Sequence, residues 1–375
     1  MTIKSMVQAS LISGLLSVAA ATPCSYNCTL ATGNENPSQK LSDPNYGPKP
    51  GESDIYSTDS KISPPFPAYL KDAILPTKCG APGLDDTIWQ NLLSAEWIIF
   101  SFYQQAVEAF NASTFIEAGY PNNTYDRVLE IRNNEAGHLR IFQNEISATS
   151  VKPGACEYQF PFYDADSFLA LTTVLEISSM AFLTGLVQQA KIPSSQGAFL
   201  AIAETETRHE VWTLLEIWKE NPFAGPADTI YPYPDQILDS TNAYIVTGSC
   251  PKENPIYPTP RQGLPAIGAA EGTKSLTPGS EIVLSFPDPT NQPEFKVDTQ
   301  YYAVFFHSVA NISVPLDTSN YPAENITVTI PAAFETKGVI VACLADTKGA
   351  PTKESVVAGP AVILEQPAYL APLLI

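Results

Sequence analysis

Between Asp85 and Glu220, apolar residues recur at alternating steps of three and four, which is the spacing of one buried helix face. Four segments show this pattern. Turn residues separate them at Gly119-Tyr120-Pro121, Pro153-Gly154 and Pro193-Ser194-Ser195. The pattern therefore predicts four helices that pack as an antiparallel bundle.

A different pattern follows residue 263, where short β-branched and aromatic segments alternate with Pro, Gly, Asp and Asn. The predicted strands are Glu281–Phe286, Gln300–Phe306, Asn311–Val314, Asn325–Ile330, Gly338–Ala345 and Ser355–Leu364. Their spacing is typical of a small antiparallel β-sandwich, similar to immunoglobulin or fibronectin modules. We therefore predict an α+β multidomain chain, with a four-helix bundle followed by a β-sandwich-like domain.

The first residues predict an export signal. Lys4 precedes an apolar run from Met6 to Ala20, and Ala19-Ala20-Ala21 is a small-residue cleavage site. The run is too short to cross a bilayer, which takes about 20 residues, and we expect no later segment to come closer. The sequence thus predicts a secreted or cell-wall protein without a membrane anchor, cleaved near Ala21.

These patterns divide the 375 residues into five parts. Residues 1–21 are the signal peptide, and residues 22–67, rich in Pro, Ser, Asn, Asp and Gly, are an extended or disordered lead-in. The bundle takes 68–220, a Pro/Tyr-rich connector takes 221–262, and the β-sandwich-like domain takes 263–375.

Cysteines, sequons and charge agree with export. The six cysteines are an even number, which predicts disulfides in an exported chain, although it leaves their pairing open. N-glycosylation sequons begin at Asn27, Asn111, Asn122, Asn311 and Asn325, so we expect N-glycans. The formal net charge of -19 argues against nucleic acid and anionic membranes as partners.

Each predicted helix carries a glutamate on its apolar face, and two of the helices add a histidine three residues later. These residues are Glu96 on the first helix, Glu135 and His138 on the second, Glu176 on the third, and Glu206 and His209 on the fourth. The three-residue step places Glu and His on the same face of the helix. Four buried carboxylates would each cost several kcal/mol unless protons or cations neutralise them.

Two divalent metal ions would neutralise these carboxylates. One Glu from each of two helices and a Glu-x-x-His from each of the other two is the ligand set of di-iron and di-manganese carboxylate bundles. Iron is therefore the predicted metal, with manganese as the alternative, and ligand chemistry also allows zinc. Only three histidines are present, and two of them occupy this pattern.

Other interpretations of these residues remain open. The buried glutamates can be remnants, held by hydrogen bonds after metal binding was lost. Tyr103, two turns from Glu96, is either a redox tyrosine or, as we expect, a core aromatic residue. His307 lies in the β-rich region without a Glu-x-x-His partner, and we expect it on the surface or in the core.

Three segments around these residues resemble a fungal secreted ferritin-like family. They are Leu93-Ser94-Ala95-Glu96-Trp97, Asn134-Glu135-Ala136-Gly137-His138 and Glu204-Thr205-Glu206-Thr207-Arg208-His209. The family includes the stress-response protein Rds and late sexual development proteins, and it is more distantly similar to plant desiccation-related proteins. The resemblance implies a ferritin-like fold and a link to stress or development, but no settled reaction.

Three functions are compatible with these features. In the first, Glu135 and Glu206 bridge two ions, Glu96 and Glu176 are terminal ligands, and the site oxidises Fe(II) or reduces oxygen or peroxide. In the second, the protein is a structural or stress-protective extracellular glycoprotein, and its β-domain binds a cell-wall component or a protein. In the third, the site sequesters metal without turnover.

Overall fold

The computed structural model describes residues 72–223, 231–255, 263–270, 273, 275–307, 310–334 and 339–364. The predicted signal peptide, 1–21, and the predicted lead-in, 22–67, lie outside these ranges, as do Cys24, Asn27 and Cys28.

Four long helices form the first part of the described chain. They are α1 (Asp86–Ala109), α3 (Thr124–Glu145), α4 (Ala165–Leu186) and α5 (Pro193–Trp212), with a short α2 (Ala112–Glu117) between the first two. Helix α1 packs on α3, and α4 packs on α5. The four predicted helices are therefore confirmed, and the apolar helix faces that predicted them are buried in the core.

Local sequence explains where these helices begin and end. Asp164 caps α4 by accepting a hydrogen bond from the Ser167 backbone, and Pro193 occupies the first turn of α5, where no amide partner is needed. Helix α5 continues as a wider π-helical turn, Thr213–Trp218, and ends at Lys219 in a left-handed conformation. The π-helical turn thus directly follows the helix that carries Glu206 and His209.

Helix α4 corrects one expectation from the sequence. Ala165–Leu186 is long and apolar enough to cross a membrane, so the expectation that no later segment approaches this length was wrong. The most apolar window of the helix is 89% buried within the protein. Its composition is explained by its place in the core, where it contacts neighbours on nearly every side.

Buried Asp86 fixes the start of α1 against the turn that follows α3. Its carboxylate accepts hydrogen bonds from the Gly83 amide at 2.7 Å, the Ser147 amide at 3.0 Å and the Ser150 hydroxyl at 2.6 Å, and also from the Ser147 hydroxyl. Burial alone would raise the pKa of Asp86, but the hydrogen bonds from Ser147 and Ser150 outweigh it and lower that pKa.

The Asp86→Asn variant should therefore lose about 2 to 4 kcal/mol of unfolding free energy at neutral pH, because the amide cannot accept all four bonds. Since the pKa of Asp86 is lowered in the fold, its contribution is present above its usual pKa and is lost as the pH falls through the lower value. Urea titrations at several pH values test this. Asp126→Asn, which changes an exposed first-turn aspartate of α3, is the control. Equal losses in both variants would contradict the prediction.

Two antiparallel sheets form the second part. Their strands are β1 (Gly268–Ala269), β2 (Glu281–Ser285), β3 (Tyr301–His307), β4 (Ala310–Leu316), β5 (Thr327–Thr329), β6 (Val339–Ala345) and β7 (Val356–Leu364). One sheet has the order β1-β2-β5 and the other β4-β3-β6-β7. All six predicted strands are confirmed, and β1, with two residues, is too short to leave a pattern in the sequence.

The two sheets face each other across apolar side chains. A cavity of about 30 Å³ between them is lined by Ile282 and Val328 from one sheet and by Phe305, Ala342 and Ile363 from the other. This small gap in an otherwise filled layer is an ordinary packing void of a sandwich core.

A short helix, α6 (Pro234–Thr241), lies between the two parts and was not predicted within the proline-rich connector. It packs on α4, and its Gln236 side chain donates to the Lys353 carbonyl at 3.2 Å. Just before it, Tyr231 stacks edge-on against Phe306 of β3, with ring centroids 5.4 Å apart. Helix α6 thus joins the helices to the second sheet.

The prediction of disulfides is confirmed in part. Cys156 and Cys250 form a disulfide, and Cys79 is also disulfide-bonded. Cys343 is not in a disulfide, so the even number of cysteines does not mean that each of them is paired. Its side chain is fully buried on β6, a central strand, where it packs as a small apolar group.

His307 is a core residue. Its Nδ1 atom lies 2.9 Å from the Val339 carbonyl oxygen, and its ring packs against Phe334. Of the two places that the sequence left open for it, the structure shows the core.

Candidate metal centre

The four long helices bring six metal-capable side chains into the centre of the bundle. Each of these residues is at most 5% exposed, and Glu135, Glu176 and Glu206 are completely buried. The set comprises Glu96 from α1, Glu135 and His138 from α3, Glu176 from α4, and Glu206 and His209 from α5. The Glu and His side chains on the apolar faces of the four helices thus meet in the centre of the bundle.

These side chains form two groups of possible metal ligands that share members. Glu96, Glu135, His138 and Glu206 form one group, and Glu135, Glu176, Glu206 and His209 form the other. Within each group the candidate ligand atoms all lie within 4.8 Å of one another. Glu135 and Glu206 belong to both groups, which is the arrangement expected of carboxylates that bridge two ions.

In the first group, the Nδ1 atom of His138 faces the carboxylates. It lies 3.0 Å from an oxygen of Glu135, 3.1 Å from one of Glu96 and 3.3 Å from one of Glu206. The i,i+3 step within α3 produces the contact with Glu135, while Glu96 and Glu206 come from other helices.

The second group repeats this geometry around His209. Its Nδ1 atom lies 3.1 Å from an oxygen of Glu135, 3.2 Å from one of Glu176 and 3.9 Å from one of Glu206. The two Glu-x-x-His segments therefore each direct an imidazole nitrogen toward the same central carboxylates.

Without metal, protonated His138 and His209 must balance the negative charge of the carboxylates. Burial disfavours imidazolium, but the carboxylates of Glu135 and Glu96 raise the pKa of His138 well above its usual range. Burial acts in the same direction on His209, yet Glu176 and Glu135 raise its pKa to about 9. Burial alone would raise the pKa of Glu135, but the two histidines outweigh it and hold that pKa below its usual range.

The pKa values of Glu96 and Glu206 shift in the opposite direction from that of Glu135. Burial, reinforced by the charge of Glu135, raises the pKa of Glu96 well above its usual range. Burial and the charges of Glu135 and Glu176 raise the pKa of Glu206 in the same way. Since metal ligands bind deprotonated, an incoming ion must displace protons from both histidines and from these two carboxyls.

Unpaired oxygen atoms test whether the cluster fits a metal. Both carboxylate oxygens of Glu206 and one of Glu135 are buried and make no hydrogen bond of normal geometry. Their nearest donors, the imidazole nitrogens of His138 and His209, are not aligned for hydrogen bonds. Buried carboxylate oxygens without well-aligned donors are costly, and a cation would satisfy them. The donor set of oxygens and imidazole nitrogens suits iron, manganese or zinc. The residues therefore fit a pair of divalent metal ions.

Two further residues contact the cluster from outside. The Tyr103 hydroxyl donates a short hydrogen bond to one oxygen of Glu176, and Tyr103 is completely buried. The side-chain nitrogen of Asn134 lies 3.2 Å from Nε2 of His209. Tyr103 was recognised on the α1 seam but interpreted as core packing. Asn134 was noted only as part of the segment Asn134–His138 and was given no role, because it is an exposed residue next to Glu135.

A small apolar cavity lies between α1, α4 and α6. Its volume is about 20 Å³, and Ala95 and Ile99 of α1, Leu175 and Ser179 of α4 and Ile237 of α6 are among the residues that line it. None of the six side chains of the cluster lines this cavity. It has room for about one water-sized molecule.

Comparisons with known proteins agree with this architecture. Residues 84–215 match the sequence profile of the ferritin-like domain family, and the match includes all six side chains of the cluster. A comparison with the curated proteins finds no match to the chain. The helical part of the chain is therefore a ferritin-like domain, and its buried carboxylate–histidine cluster is compatible with a metal site.

Proposed function

We propose that the buried cluster binds two metal ions, most favourably iron, with manganese as the alternative. The observation that carries the proposal is the pair of ligand groups that share Glu135 and Glu206. Each group supplies three carboxylates and one imidazole, and the shared carboxylates include the buried oxygens that lack hydrogen bonds. This set of ligands matches the one used by di-iron carboxylate bundles.

In this proposal, Glu135 and Glu206 would be ligands of both ions, and Glu96 and Glu176 would each be a ligand of one. His138 and His209 would bind one ion each through Nδ1, the nitrogen that faces the carboxylates. A pair of iron ions would supply reversible one-electron chemistry and a binding place for oxygen or peroxide. The surrounding core excludes bulk water, and Tyr103 and Asn134 orient Glu176 and His209.

The reaction that we propose is ferroxidase-like: Fe(II) is oxidised, and oxygen or peroxide accepts the electrons.

Elemental analysis of protein purified without chelator tests the proposed site. We expect about two iron or manganese ions per chain in the natural protein. The Glu135→Ala/Glu206→Ala double variant should contain none, because each substitution removes a ligand from both groups. Full metal content in the double variant would refute the assignment of these residues.

The matched control is Glu130→Ala/Glu204→Ala, which removes two exposed glutamates from the same helices. It should retain full metal content. If the natural protein binds metal, oxygen consumption on addition of Fe(II) then separates turnover from sequestration. Stoichiometric binding without oxygen consumption would support sequestration and refute the ferroxidase activity.

A second candidate function is a structural or stress-protective role with a relic site. The observation that favours it is the charge balance of the cluster, in which two imidazoles face the carboxylates at 3.0 to 3.2 Å. Such pairing allows the bundle to fold without metal. The β-sheets would then bind the partner, a cell-wall component or a protein. No metal in the natural protein, together with unchanged thermal stability in the double variant, would favour this function.

We further propose that the protein is an exported glycoprotein of the fungal stress and development family that the sequence resembles. The Cys156–Cys250 disulfide supports an oxidising compartment. Four sequon asparagines are exposed, as glycan attachment requires: Asn111, Asn122, Asn311 and Asn325. The proposed parts remain the signal peptide 1–21, lead-in 22–67, bundle 68–220, connector 221–262 and β-domain 263–375.

A further inference from the structure

We propose that metal ions enter and leave the cluster between α3 and α5, where the side chain of Asn134 closes the route to solvent. This inference rests on the proposed function, because it concerns the passage of metal to that site. It goes beyond the set of ligands, since Asn134 and Thr205, on the opposite wall of the route, control the rates of binding and release.

The cluster is closed at one end of the bundle by three aromatic rings. The ring of Trp89 lies 5.7 Å from that of Phe142 and 4.7 Å from that of Phe199, measured between centroids. Phe142 follows His138 by one helical turn, so this aromatic layer lies directly beside the cluster. All three residues are at most 2% exposed.

A second aromatic layer closes the other end. Tyr103 donates a hydrogen bond to Glu176, and its ring contacts those of Phe102 and Phe168 at centroid distances of 5.1 and 6.0 Å. These three aromatic residues are completely buried. An ion that entered along the bundle axis would have to displace close-packed rings at either end, which a densely packed core resists.

The sides of the bundle are not packed equally. Helix α1 packs closely on α3, α4 packs closely on α5, and α6 packs on both α1 and α4. Helices α3 and α5 approach each other less closely than either of the first two pairs. The α3–α5 side is therefore the least tightly packed side of the cluster.

Asn134 bridges this side. It is exposed, yet its side-chain nitrogen lies 3.2 Å from Nε2 of His209, which is only 5% exposed. Among the described residues, Tyr103 and Asn134 hydrogen-bond to the cluster from outside, and of these two only Asn134 reaches solvent. One side chain thus separates a proposed metal ligand from water.

Asn134 can move aside without disturbing the core. Within the described chain, the contact with His209 is the one polar contact of its side chain. Exposed side chains change rotamer within nanoseconds, so this contact opens often. The amide oxygen is also a donor that suits Mn(II), so it can hold an arriving ion that has lost part of its water shell.

Thr205 lies on the opposite wall of the route. It precedes His209 by four residues on α5, which places both on one helix face. It is half-buried, and its hydroxyl contacts the Ala201 carbonyl at 3.3 Å and the Arg208 guanidinium at 2.9 Å rather than the cluster. A larger side chain at Thr205 would therefore narrow the route without removing a contact to the ligands.

Rates of Mn(II) binding and release test the inference. Metal-free protein is mixed with Mn(II), and native mass spectrometry counts the bound ions over time. Excess EDTA added to the loaded protein then measures release. Asn134→Ala should raise both rates, and Asn134→Phe should lower both, by about threefold to tenfold.

The direction of the change in release separates passage from orientation. If Asn134 only held His209 in place, Asn134→Phe would loosen a ligand, and the ions would leave faster. An aromatic ring that closes the route instead makes them leave more slowly. Faster release from Asn134→Phe, or a loading rate that neither Asn134 variant changes, would overturn the inference.

Three further variants locate the route. Thr205→Phe should slow both rates as Asn134→Phe does. The matched control is Glu204→Phe, at an exposed position on another face of α5, which should leave both rates within about twofold. Phe199→Leu loosens one aromatic layer and should also leave them within about twofold.

The remaining outcomes are equally decisive. Faster loading in Phe199→Leu than in Asn134→Ala would place the route along the bundle axis and overturn the inference, as would unchanged rates in Thr205→Phe. In either case the natural protein still binds Mn(II), so the proposed metal site stands. No Mn(II) binding by the natural protein would refute the proposed function itself.

Discussion

The Glu206→Met variant is expected to stabilise the metal-free protein and to abolish its metal binding. Glu206 is completely buried, and neither of its oxygens makes a hydrogen bond of normal geometry. Burial and repulsion from Glu135 and Glu176 raise its pKa well above the usual range, which shows how unfavourable a charge is there. Replacing buried ionic groups with well-packed apolar ones is neutral or stabilises a protein by up to about 4 kcal/mol, provided that no buried charge is left unpaired.

The neighbours of Glu206 make this substitution informative. His138 keeps Glu96 and Glu135 within 3.1 Å, and His209 keeps Glu135 and Glu176 within 3.2 Å, so removing Glu206 leaves no imidazole without a carboxylate. Methionine is unbranched and flexible, and its thioether is too soft a ligand for iron or manganese. The apo-protein therefore gains stability while both ligand groups lose a member.

Denaturant titrations with and without Mn(II) measure both effects. Binding of one ion at 100 times its dissociation constant adds about 2.7 kcal/mol to the natural protein, and the variant should gain none. Glu204→Met, at an exposed position two residues earlier on α5, should change the metal-free stability by less than about 0.5 kcal/mol. A metal-free Glu206→Met protein that is less stable than the natural one would show that Glu206 has a structural role.

The Glu206→Met substitution is expected to raise the stability of the metal-free protein but to abolish metal binding, and this contrast bears on why the cluster exists. A bundle that needs only stability would replace Glu206, since its oxygens make no hydrogen bond of normal geometry and the nearest imidazole nitrogen, Nδ1 of His138, is 3.3 Å away. Proteins retain locally unfavourable groups mainly at functional sites. The cost of Glu206 in the metal-free state therefore favours a metal-binding role over a scaffold.

Much of the fold could be predicted because periodicity reports which side of an element is buried. The apolar face that carries Glu96 and Tyr103 was predicted to be the buried face of α1, and the three-residue step from Glu135 to His138 predicted a shared face on α3. Strands β2 to β7 were predicted from β-branched runs between turn residues. Each of these signals lies within one segment of the chain.

What could not be predicted depends on contacts between segments. The hydrogen bond from Tyr103 to Glu176 joins residues 73 positions apart. The periodicity of one helix shows which of its residues are buried, but not which residues of other helices they contact. Asn134 is exposed, so burial patterns ignore it. Helix α6 begins at Pro234, in a stretch whose prolines suggested irregular structure, and proline is favourable only in the first turn. Cys343 counted toward an even total but is buried on a central strand.

Removal of the Cys156–Cys250 disulfide is expected to produce the largest loss of stability. The bridge joins residues 94 positions apart, and closing a loop of this length removes about 4 to 5 kcal/mol of chain entropy from the unfolded state. The Cys156→Ser/Cys250→Ser variant should therefore unfold at clearly lower denaturant concentration. The Cys156→Ala/Cys250→Ala variant should give a similar shift, which controls for the introduced hydroxyls; reduction would not, because it also opens the disulfide of Cys79.

Hydrogen bonds also join the two ends of this loop in the folded protein. The Val246 amide donates to the Glu157 carbonyl at 2.9 Å, and the Glu157 amide donates to the Ser249 hydroxyl at 3.0 Å. These bonds keep the two ends together in the folded state of the variant, so its native structure should persist. A loss below about 1 kcal/mol would mean that the unfolded chain already holds these ends close together.

The disulfide and the metal site should stabilise the protein independently of each other. The loop contains Glu176, Glu206 and His209, yet the bridge acts on the unfolded chain, whereas metal ions act only on the folded one. Stability gained from Mn(II) should therefore be the same, within about 0.5 kcal/mol, with and without the bridge. A smaller gain in the Cys156→Ser/Cys250→Ser variant would show that the bridge also holds α4 and α5 in the geometry that binds metal.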